Sequence, residues 1–153
     1  MKQHLLKESE IKKRSLKLIE TDEVINDNIN INIDVPDACF RYASRVIKNV
    51  KVGPSPRWLI DKLESIGQRS INNIVDAANF VLMDTGHPMH TFDLDKLSAK
   101  KINVRYAKPK EKIELLDVKT YELNDHHLLI CDGKTPIALA GVMGGTNSEI
   151  DNS

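Results

Sequence analysis

The sequence predicts an α+β fold, with two or three helices in the N-terminal half packed on a mixed or antiparallel β-sheet and a strand-rich C-terminal half. Between Pro56 and Gly86, apolar residues recur at the spacing of amphipathic helices. After Leu97 they fall into short β-branched runs separated by turn residues. Helices that come first, followed by strands alone, are typical of α+β domains and not of doubly wound sheets.

The chain has 153 residues, enough for one domain with its own hydrophobic core. Its 22 Lys and Arg residues balance its 22 Asp and Glu residues, so the formal net charge is zero. A neutral chain lacks the positive surface that binds nucleic acid through phosphates alone, so we expect any RNA contact to be local or to come from partner domains. No apolar run approaches the roughly 20 residues of a membrane span, and the polar N-terminus is unlike a signal peptide. A cytoplasmic location without membrane association is therefore expected.

Two regions of the chain differ in composition. Residues 1–30 are rich in charged side chains, which predicts a charged linker or surface helix, with a helix possible from Leu5 to Ile19. Residues 31–153 are predicted to form the folded domain. The chain reaches SEIDNS directly after a glycine-rich turn, so we expect this domain to be truncated at its C-terminus.

Two strands are predicted before the helices. The first is half-buried, because apolar residues alternate with polar ones at Ile29, Ile31, Ile33 and Val35. The second covers residues 41–52, RYASRVIKNVKV, which are rich in β-branched residues and punctuated by Lys and Arg.

The first main helix is predicted to begin at GPSP and to end at Gly67. Ser55 is a good N-cap, and Pro56 suits the first helical position, where no amide donor is needed. Its apolar stripe is Leu59, Leu63 and Ile66.

The second helix is predicted to be capped by Ser70 and to end at Gly86. Its apolar stripe consists of Ile74, Ala78, Val81 and Leu82.

Five short strands are predicted in the second half of the chain. Turn signals such as Asn124-Asp125 and Asp132-Gly133 separate them. They cover residues 102–107, 112–117, 119–123, 127–132 and 136–143.

His90 is the leading candidate for a catalytic residue. It lies in GHPMHTFD, where Pro88 stiffens the turn and gives the imidazole a defined direction. An imidazole can activate a water or hold an ester oxygen near neutral pH. Asn79, near the end of the second helix, can donate and accept hydrogen bonds toward the same region. The alternatives are that His90 is structural, hydrogen-bonded to backbone, and that Asn79 faces solvent.

The segment ALAGVMGG (138–145) is the second candidate for a binding element. Three glycines in five residues allow the backbone to approach a ligand closely and to expose its amides. It is neither a P-loop nor a dinucleotide-binding turn, and a simple glycine-rich hairpin is the alternative.

No metal site is predicted. Pro88 prevents His87 and His90 from sharing one helical face, and no cysteine pair has zinc spacing. Cys39 and Cys131 are isolated in apolar surroundings and are expected to be buried free thiols.

Residues 35–151 resemble the editing (B3/B4) domain of bacterial phenylalanyl-tRNA synthetase beta subunits. The shared landmarks occur in order: RYASRVIKNVKVGPSPRWL, GQRSINNIVDAANFVL, GHPMHTFDLDKL, VRYAKPKEKIELLD and ALAGVMGG. The resemblance implies an α+β module that binds the 3′ end of tRNA(Phe) and hydrolyses mischarged Tyr-tRNA(Phe).

The resemblance also implies roles for individual residues. His90 would be catalytic, Asn79 would bind the adenosine and ester end of the substrate, and Gly141 would line the amino-acid pocket. Further possible pocket residues are Ala78, Met89, Gly144 and Gly145.

The chain departs from the family pattern at several positions. Many relatives have Thr at position 78, so Ala78 removes one hydroxyl contact, and Val118 replaces a turn glycine. The family's tyrosine-discriminating Glu is expected beyond Ser153, and Glu149 does not match its position. We therefore expect the isolated chain to be poor or inactive in editing.

The resemblance implies no cofactor in this domain, since the ATP and magnesium of the whole synthetase bind elsewhere. Implied partners are the acceptor end of tRNA(Phe), the synthetase alpha subunit and the remaining beta-subunit domains, in a heterotetramer. The alternative is a non-catalytic tRNA-binding or subunit-docking module of the same synthetase, which Ala78 and the neutral charge favour mildly.

Overall fold

The computed structural model describes residues 17–151 and confirms the predicted α+β class. The helix predicted from Leu5 to Ile19 lies outside the described residues except for 17–19, which have no regular secondary structure. Two helices, α1 and α2, occupy the first half, and β-strands dominate the second. The elements are β1 (Asn30–Ile33), α1 (Arg57–Ser65), α2 (Asn73–Thr85), β2 (Lys101–Tyr106), β3 (Lys112–Glu114), β4 (Thr120–Glu122), β5 (Leu128–Asp132), β6 (Thr135–Leu139) and β7 (Met143–Gly144). Short 3-10 helices cover Ile25–Asp27 and Thr146–Ser148.

Five strands form a mixed sheet in the order β1-β2-β5-β6-β7. β1 is parallel to β2, and every other neighbouring pair is antiparallel. β3 and β4 form a separate antiparallel hairpin. The strand predicted over residues 136–143 is divided into β6 and β7 because Gly141 reverses the chain with a φ of 72°.

Two clusters of buried apolar side chains lie on opposite faces of the sheet, because successive residues of a strand point to opposite sides. In β5, Leu129 and Cys131 join the cluster beneath the β3–β4 hairpin, whereas Leu128 and Ile130 pack against the other. The second cluster is covered by segments that follow β1 and precede β2, including Val46 and Phe92.

Both cysteines are free, and they differ in burial. Cys131 is buried, and burial raises the pKa of its thiol to about 11. Cys39 is only partly buried, so the prediction of two buried thiols is wrong for Cys39.

The strand predicted over residues 41–52 is wrong, since none of these residues belongs to a strand. The segment does alternate: Tyr42 and Val46 pack inward, whereas Ile47 is 77% exposed. However, no residue from 40 to 52 makes a backbone–backbone hydrogen bond to another described residue. Asn49, with a φ of 58°, also interrupts the extended backbone.

Helix α1 ends where it was predicted to end, but its N-cap and part of its apolar stripe differ from the prediction. Leu59 and Leu63 are buried, but Ile66 is 54% exposed, so its place in the buried stripe is wrong. The helix ends as predicted at Gly67, whose φ of 78° allows the amides of Gly67 and Gln68 to bond carbonyls of the last turn. Pro56 is the N-cap residue and not the first helical residue, which displaces the predicted cap at Ser55.

Helix α2 is capped by Asn72 and not by Ser70, which corrects the second cap prediction. The Asn72 side chain accepts hydrogen bonds from the amides of Ile74 and Val75, at 3.1 and 2.9 Å. The helix ends at Gly86, as predicted, in a left-handed conformation with a φ of 71°. α1 and α2 pack against each other, and Trp58 meets Phe80 edge-on. In the described part of the chain, no helix is both long enough and apolar enough to cross a membrane.

Candidate functional site

A single buried carboxylate orients the start of α2 and the loops around it. Asp76 is fully buried, and it accepts hydrogen bonds from the hydroxyls of Ser55 and Ser70, each at 2.5 Å, and from the amide of Ile71 at 2.8 Å. Burial alone would raise the pKa of Asp76, but these three hydrogen bonds outweigh it and lower the pKa. Asp76 thereby holds Ile71 in place at the edge of a cleft.

This cleft lies beside the α2 helix and has a volume of about 240 Å³. Part of its wall is apolar, formed by Ile71, Val75, Ala78, Met89, Leu116 and Ile150. Its polar lining residues are Asn79, His90, Thr91 and Glu149. An apolar wall with a few converging polar groups is the usual composition of a small-molecule site.

The imidazole of His90 is held between an aromatic ring and a glycine. Its ring meets Phe92 edge-on, with ring centroids 4.6 Å apart. The ring also lies against Gly144, where a Cβ atom would come within 2.4 Å of Cε1 and 2.5 Å of Nε2 of His90. The ring therefore occupies space that only a glycine at position 144 leaves open.

The surroundings of His90 also adjust its protonation. Protein atoms displace water from part of the imidazole and lower its pKa below the ordinary value of 6.5, although the side chain still reaches solvent. His90 is consequently neutral at neutral pH. A neutral imidazole can accept a proton from water, which the protonated form cannot do.

Four of the seven predicted site residues line the cleft together: Ala78, Asn79, Met89 and His90. Gly144 contacts the His90 ring from behind. Gly145 is buried one residue further, where its amide donates to the carbonyl of Ile137 at 2.7 Å. Gly141 lies in the β6–β7 turn and is not among the residues that line the cleft.

Sequence reasoning missed several lining residues. Leu116 follows β3, and Glu149 and Ile150 follow the second 3-10 helix, far along the chain from His90. No local pattern marks them, because the sheet and hairpin bring them to the cleft.

Among residues 17–151, no three side chains of the His, Cys, Asp or Glu type are grouped so that they could hold a metal ion. The side chains that line the cleft can take part in proton transfer and hydrogen bonding. Asn79 offers both a donor and an acceptor, and His90 offers a basic nitrogen.

Comparison with known proteins finds a family model and several relatives that match most of the chain. The family model of the B3/4 domain matches residues 38–153. The chain is 53% identical over 131 residues to the phenylalanine–tRNA ligase beta subunit of Protochlamydia amoebophila, an alignment that covers 86% of the chain and 16% of that protein. It is 50% identical over 133 residues to the beta subunit of Syntrophotalea carbinolica, covering 87% of the chain and 16% of that protein. It is 41% identical over 145 residues to that of Rhodopirellula baltica, covering 95% of the chain and 21% of that protein. The chain thus spans about a sixth to a fifth of the length of these relatives.

Proposed function

Since the chain belongs to the B3/4 domain family, we propose that it acts as the editing module of a phenylalanine–tRNA ligase beta subunit. In this function it binds the 3′ end of tRNA(Phe) and hydrolyses the ester of tyrosine mischarged onto it. The observation that carries the proposal is the convergence of Asn79 and His90 on one cleft with an apolar wall. The similarity to phenylalanine–tRNA ligase beta subunits supports the choice of tRNA and amino acid.

The need for such a module follows from the chemistry of the two amino acids. Tyrosine differs from phenylalanine by one hydroxyl, and an apolar synthetic pocket rejects an added hydroxyl only weakly. A second site that hydrogen-bonds this hydroxyl favours tyrosine, because its polar groups stay unpaired when phenylalanine enters.

Each part of the cleft has a role in ester hydrolysis. The wall of Ile71, Val75 and Leu116 receives the aromatic side chain of the amino acid. Neutral His90 accepts a proton from the attacking water and returns it to the ribose oxygen as the ester C–O bond breaks, which releases free tyrosine and the ribose hydroxyl. Asn79 hydrogen-bonds the ester or ribose oxygens. Gly144 leaves the space that the His90 ring occupies beside the cleft.

Partners and cofactors follow from this assignment. The module works with the acceptor end of tRNA(Phe), the alpha subunit and the remaining beta-subunit domains of a cytoplasmic heterotetramer. Because the chain is formally neutral, most phosphate contacts come from those other domains. ATP and magnesium serve amino-acid activation elsewhere in the synthetase, and this module needs neither.

Deacylation of Tyr-tRNA(Phe) by the assembled synthetase tests the proposal. We expect His90→Ala to lower the deacylation rate by about 10²-fold or more, the usual contribution of a positioned acid or base. His126→Ala is the matched control, because His126 is an exposed histidine before β5 and does not line the cleft. The editing proposal is wrong if His90→Ala leaves the rate unchanged and Phe-tRNA(Phe) and Tyr-tRNA(Phe) are equally resistant.

A second function, subunit docking without catalysis, is favoured by one observation. The helical pair exposes apolar side chains at a separate groove: Ile66 and Met83, which line it, are 54% and 48% exposed. Trp58, which is 55% exposed, packs against Phe80 of the same groove. Exposed apolar groups of this kind mark interaction surfaces. Under this alternative, Trp58→Ser weakens assembly with the alpha subunit, measured by sedimentation, while His90→Ala has no effect on deacylation.

A further inference from the structure

Among residues 17–151, Glu149 contributes the only carboxylate that lines the cleft, and no Lys or Arg accompanies it. His90 is the one other ionisable lining residue, and it is neutral at neutral pH. The cleft therefore has a negative charge at Glu149 without a positive counterpart in its wall. A ligand that places a cation beside Glu149 matches this charge, and one that places a phosphate there is repelled.

The backbone on either side of Glu149 is anchored, which fixes the position of this residue relative to the loop that carries His90. The preceding residue, Ser148, is fully buried, and its carbonyl accepts a hydrogen bond from the amide of Asp93 at 3.2 Å. The carbonyl of Glu149 itself accepts one from Nζ of Lys96 at 2.7 Å. Asp93 and Lys96 belong to the loop that carries His90, so the two cleft residues are tied to one framework.

Lys96 makes no direct ion pair with Glu149, and the Glu149 charge is the last of the causes that raise the pKa of Lys96. Its ammonium group is paired with the Asp151 carboxylate at 2.6 Å, and its hydrogen bond to Glu149 goes to the backbone carbonyl. Among residues 17–151, the Glu149 carboxylate has no hydrogen bond and no ion-pair partner, and its side chain is exposed. The carboxylate is therefore available to a ligand.

The chemistry of an aminoacyl ester identifies the matching group. The 3′ end of an aminoacyl-tRNA has one cation, the α-ammonium of the amino acid, placed next to the ester carbon that is attacked. The nearest phosphate lies on the other side of the ribose. We propose that the Glu149 carboxylate binds the α-ammonium group of the aminoacyl ester in this cleft, an inference that rests on the proposed editing function. This contact orients the ester carbonyl toward His90 and favours esters that carry a free amino group over esters that lack one.

The test compares two esters in the assembled synthetase: Tyr-tRNA(Phe) and its analogue with an α-hydroxyl in place of the α-ammonium. For Glu149→Gln, we expect KM for Tyr-tRNA(Phe) to rise about 10-fold, the usual effect of losing one charge-assisted hydrogen bond. The KM for the α-hydroxy ester stays unchanged, because that ester offers no cation to Glu149. Glu122→Gln on β4 is the matched control, since it removes an exposed carboxylate outside the cleft and leaves both values unchanged.

The outcomes separate the two proposals. If the unmodified enzyme hydrolyses Tyr-tRNA(Phe) and needs His90, but Glu149→Gln affects both esters equally or neither, the ammonium contact is wrong and the editing function stands. If the unmodified enzyme hydrolyses neither ester, both proposals fall together. A selective KM rise for the amino ester supports both.

Discussion

The contact between His90 and Gly144 joins two parts of the chain that the sequence keeps far apart. The Phe92 ring meets the imidazole edge-on, and Gly144 lies against Cε1 and Nε2 of the same imidazole. The position of the proposed base thus depends on an absent side chain at position 144 as much as on His90 itself.

Gly144→Ala should therefore disable the site while preserving the fold. The added Cβ would lie 2.4 Å from Cε1 of His90, so the ring must move by an ångström or so, a displacement that lowers catalysis by about 10²-fold. We expect this loss to appear in kcat for deacylation of Tyr-tRNA(Phe), with a smaller change in KM.

Gly53→Ala provides the matched control, because a Cβ at Gly53 meets nothing within 4 Å and its φ is not positive. It should leave kcat unchanged. If Gly144→Ala retains full kcat, His90 does not need its observed position. Thermal unfolding of both variants verifies that any loss of activity is local.

At the scale of an element, the start of α2 shows how one buried residue can determine which of its neighbours caps a helix. Ser55, Ser70 and Asn72 are all good N-cap residues by type. The structure uses only Asn72 as a cap, because the hydroxyls of Ser55 and Ser70 donate to Asp76. Side-chain type alone does not distinguish these roles, since they depend on Asp76, a buried carboxylate inside the helix.

Asp76→Asn should destabilise the chain by about 2 kcal/mol, because an amide replaces a buried carboxylate that accepts three hydrogen bonds. The folded-state pKa of Asp76 is depressed below its ordinary value of 3.8. Its stabilisation is therefore fully present above about pH 5 and is lost as the pH falls through the folded-state pKa. Urea unfolding at pH 7 and pH 3 measures both effects.

The variant should accordingly lose less stability than the unmodified chain between pH 7 and pH 3. Asp95→Asn is the control, because Asp95 is exposed and its replacement should leave the urea midpoint of unfolding the same as in the unmodified chain at both pH values. Equal pH dependence in the Asp76→Asn variant and the unmodified chain would show that the carboxylate is not held in its charged form by these bonds.

Across the whole molecule, the sequence predicted what is local and missed what depends on contacts between distant segments. Gly67 and Gly86 end their helices as predicted, because their left-handed conformation is a property of single residues. Ala78, Asn79, Met89 and His90 were identifiable because they lie in one continuous stretch with a recognisable pattern. Glu149 reaches the cleft only through the fold. Neither its place in the sequence nor its charge therefore predicts a role in the cleft.

The strand predicted at residues 41–52 failed because strand formation depends on contacts with a distant segment. β-Branched residues favour an extended backbone, but a strand also needs a partner strand. Within the described part of the chain, this segment has no backbone partner, and the buried hydroxyl of Ser44 has no hydrogen bond. Phe40 and Ile47 are 90% and 77% exposed. Unpaired extended backbone beside exposed apolar side chains is a site at which copies of a chain associate.

We therefore expect the isolated chain to self-associate. The double variant Phe40→Ser, Ile47→Ser should weaken this association by about 10-fold or more, because burying one large apolar side chain contributes roughly 1.5–3 kcal/mol. Sedimentation velocity over a range of concentrations gives the dissociation constants. Val142→Ser is the control, because Val142 is 69% exposed in the β6–β7 turn, away from this segment. Equal weakening by both variants would assign the association to general surface hydrophobicity. A selective effect of the double variant would instead locate it at residues 40–52, where an added strand supplies the missing backbone hydrogen bonds.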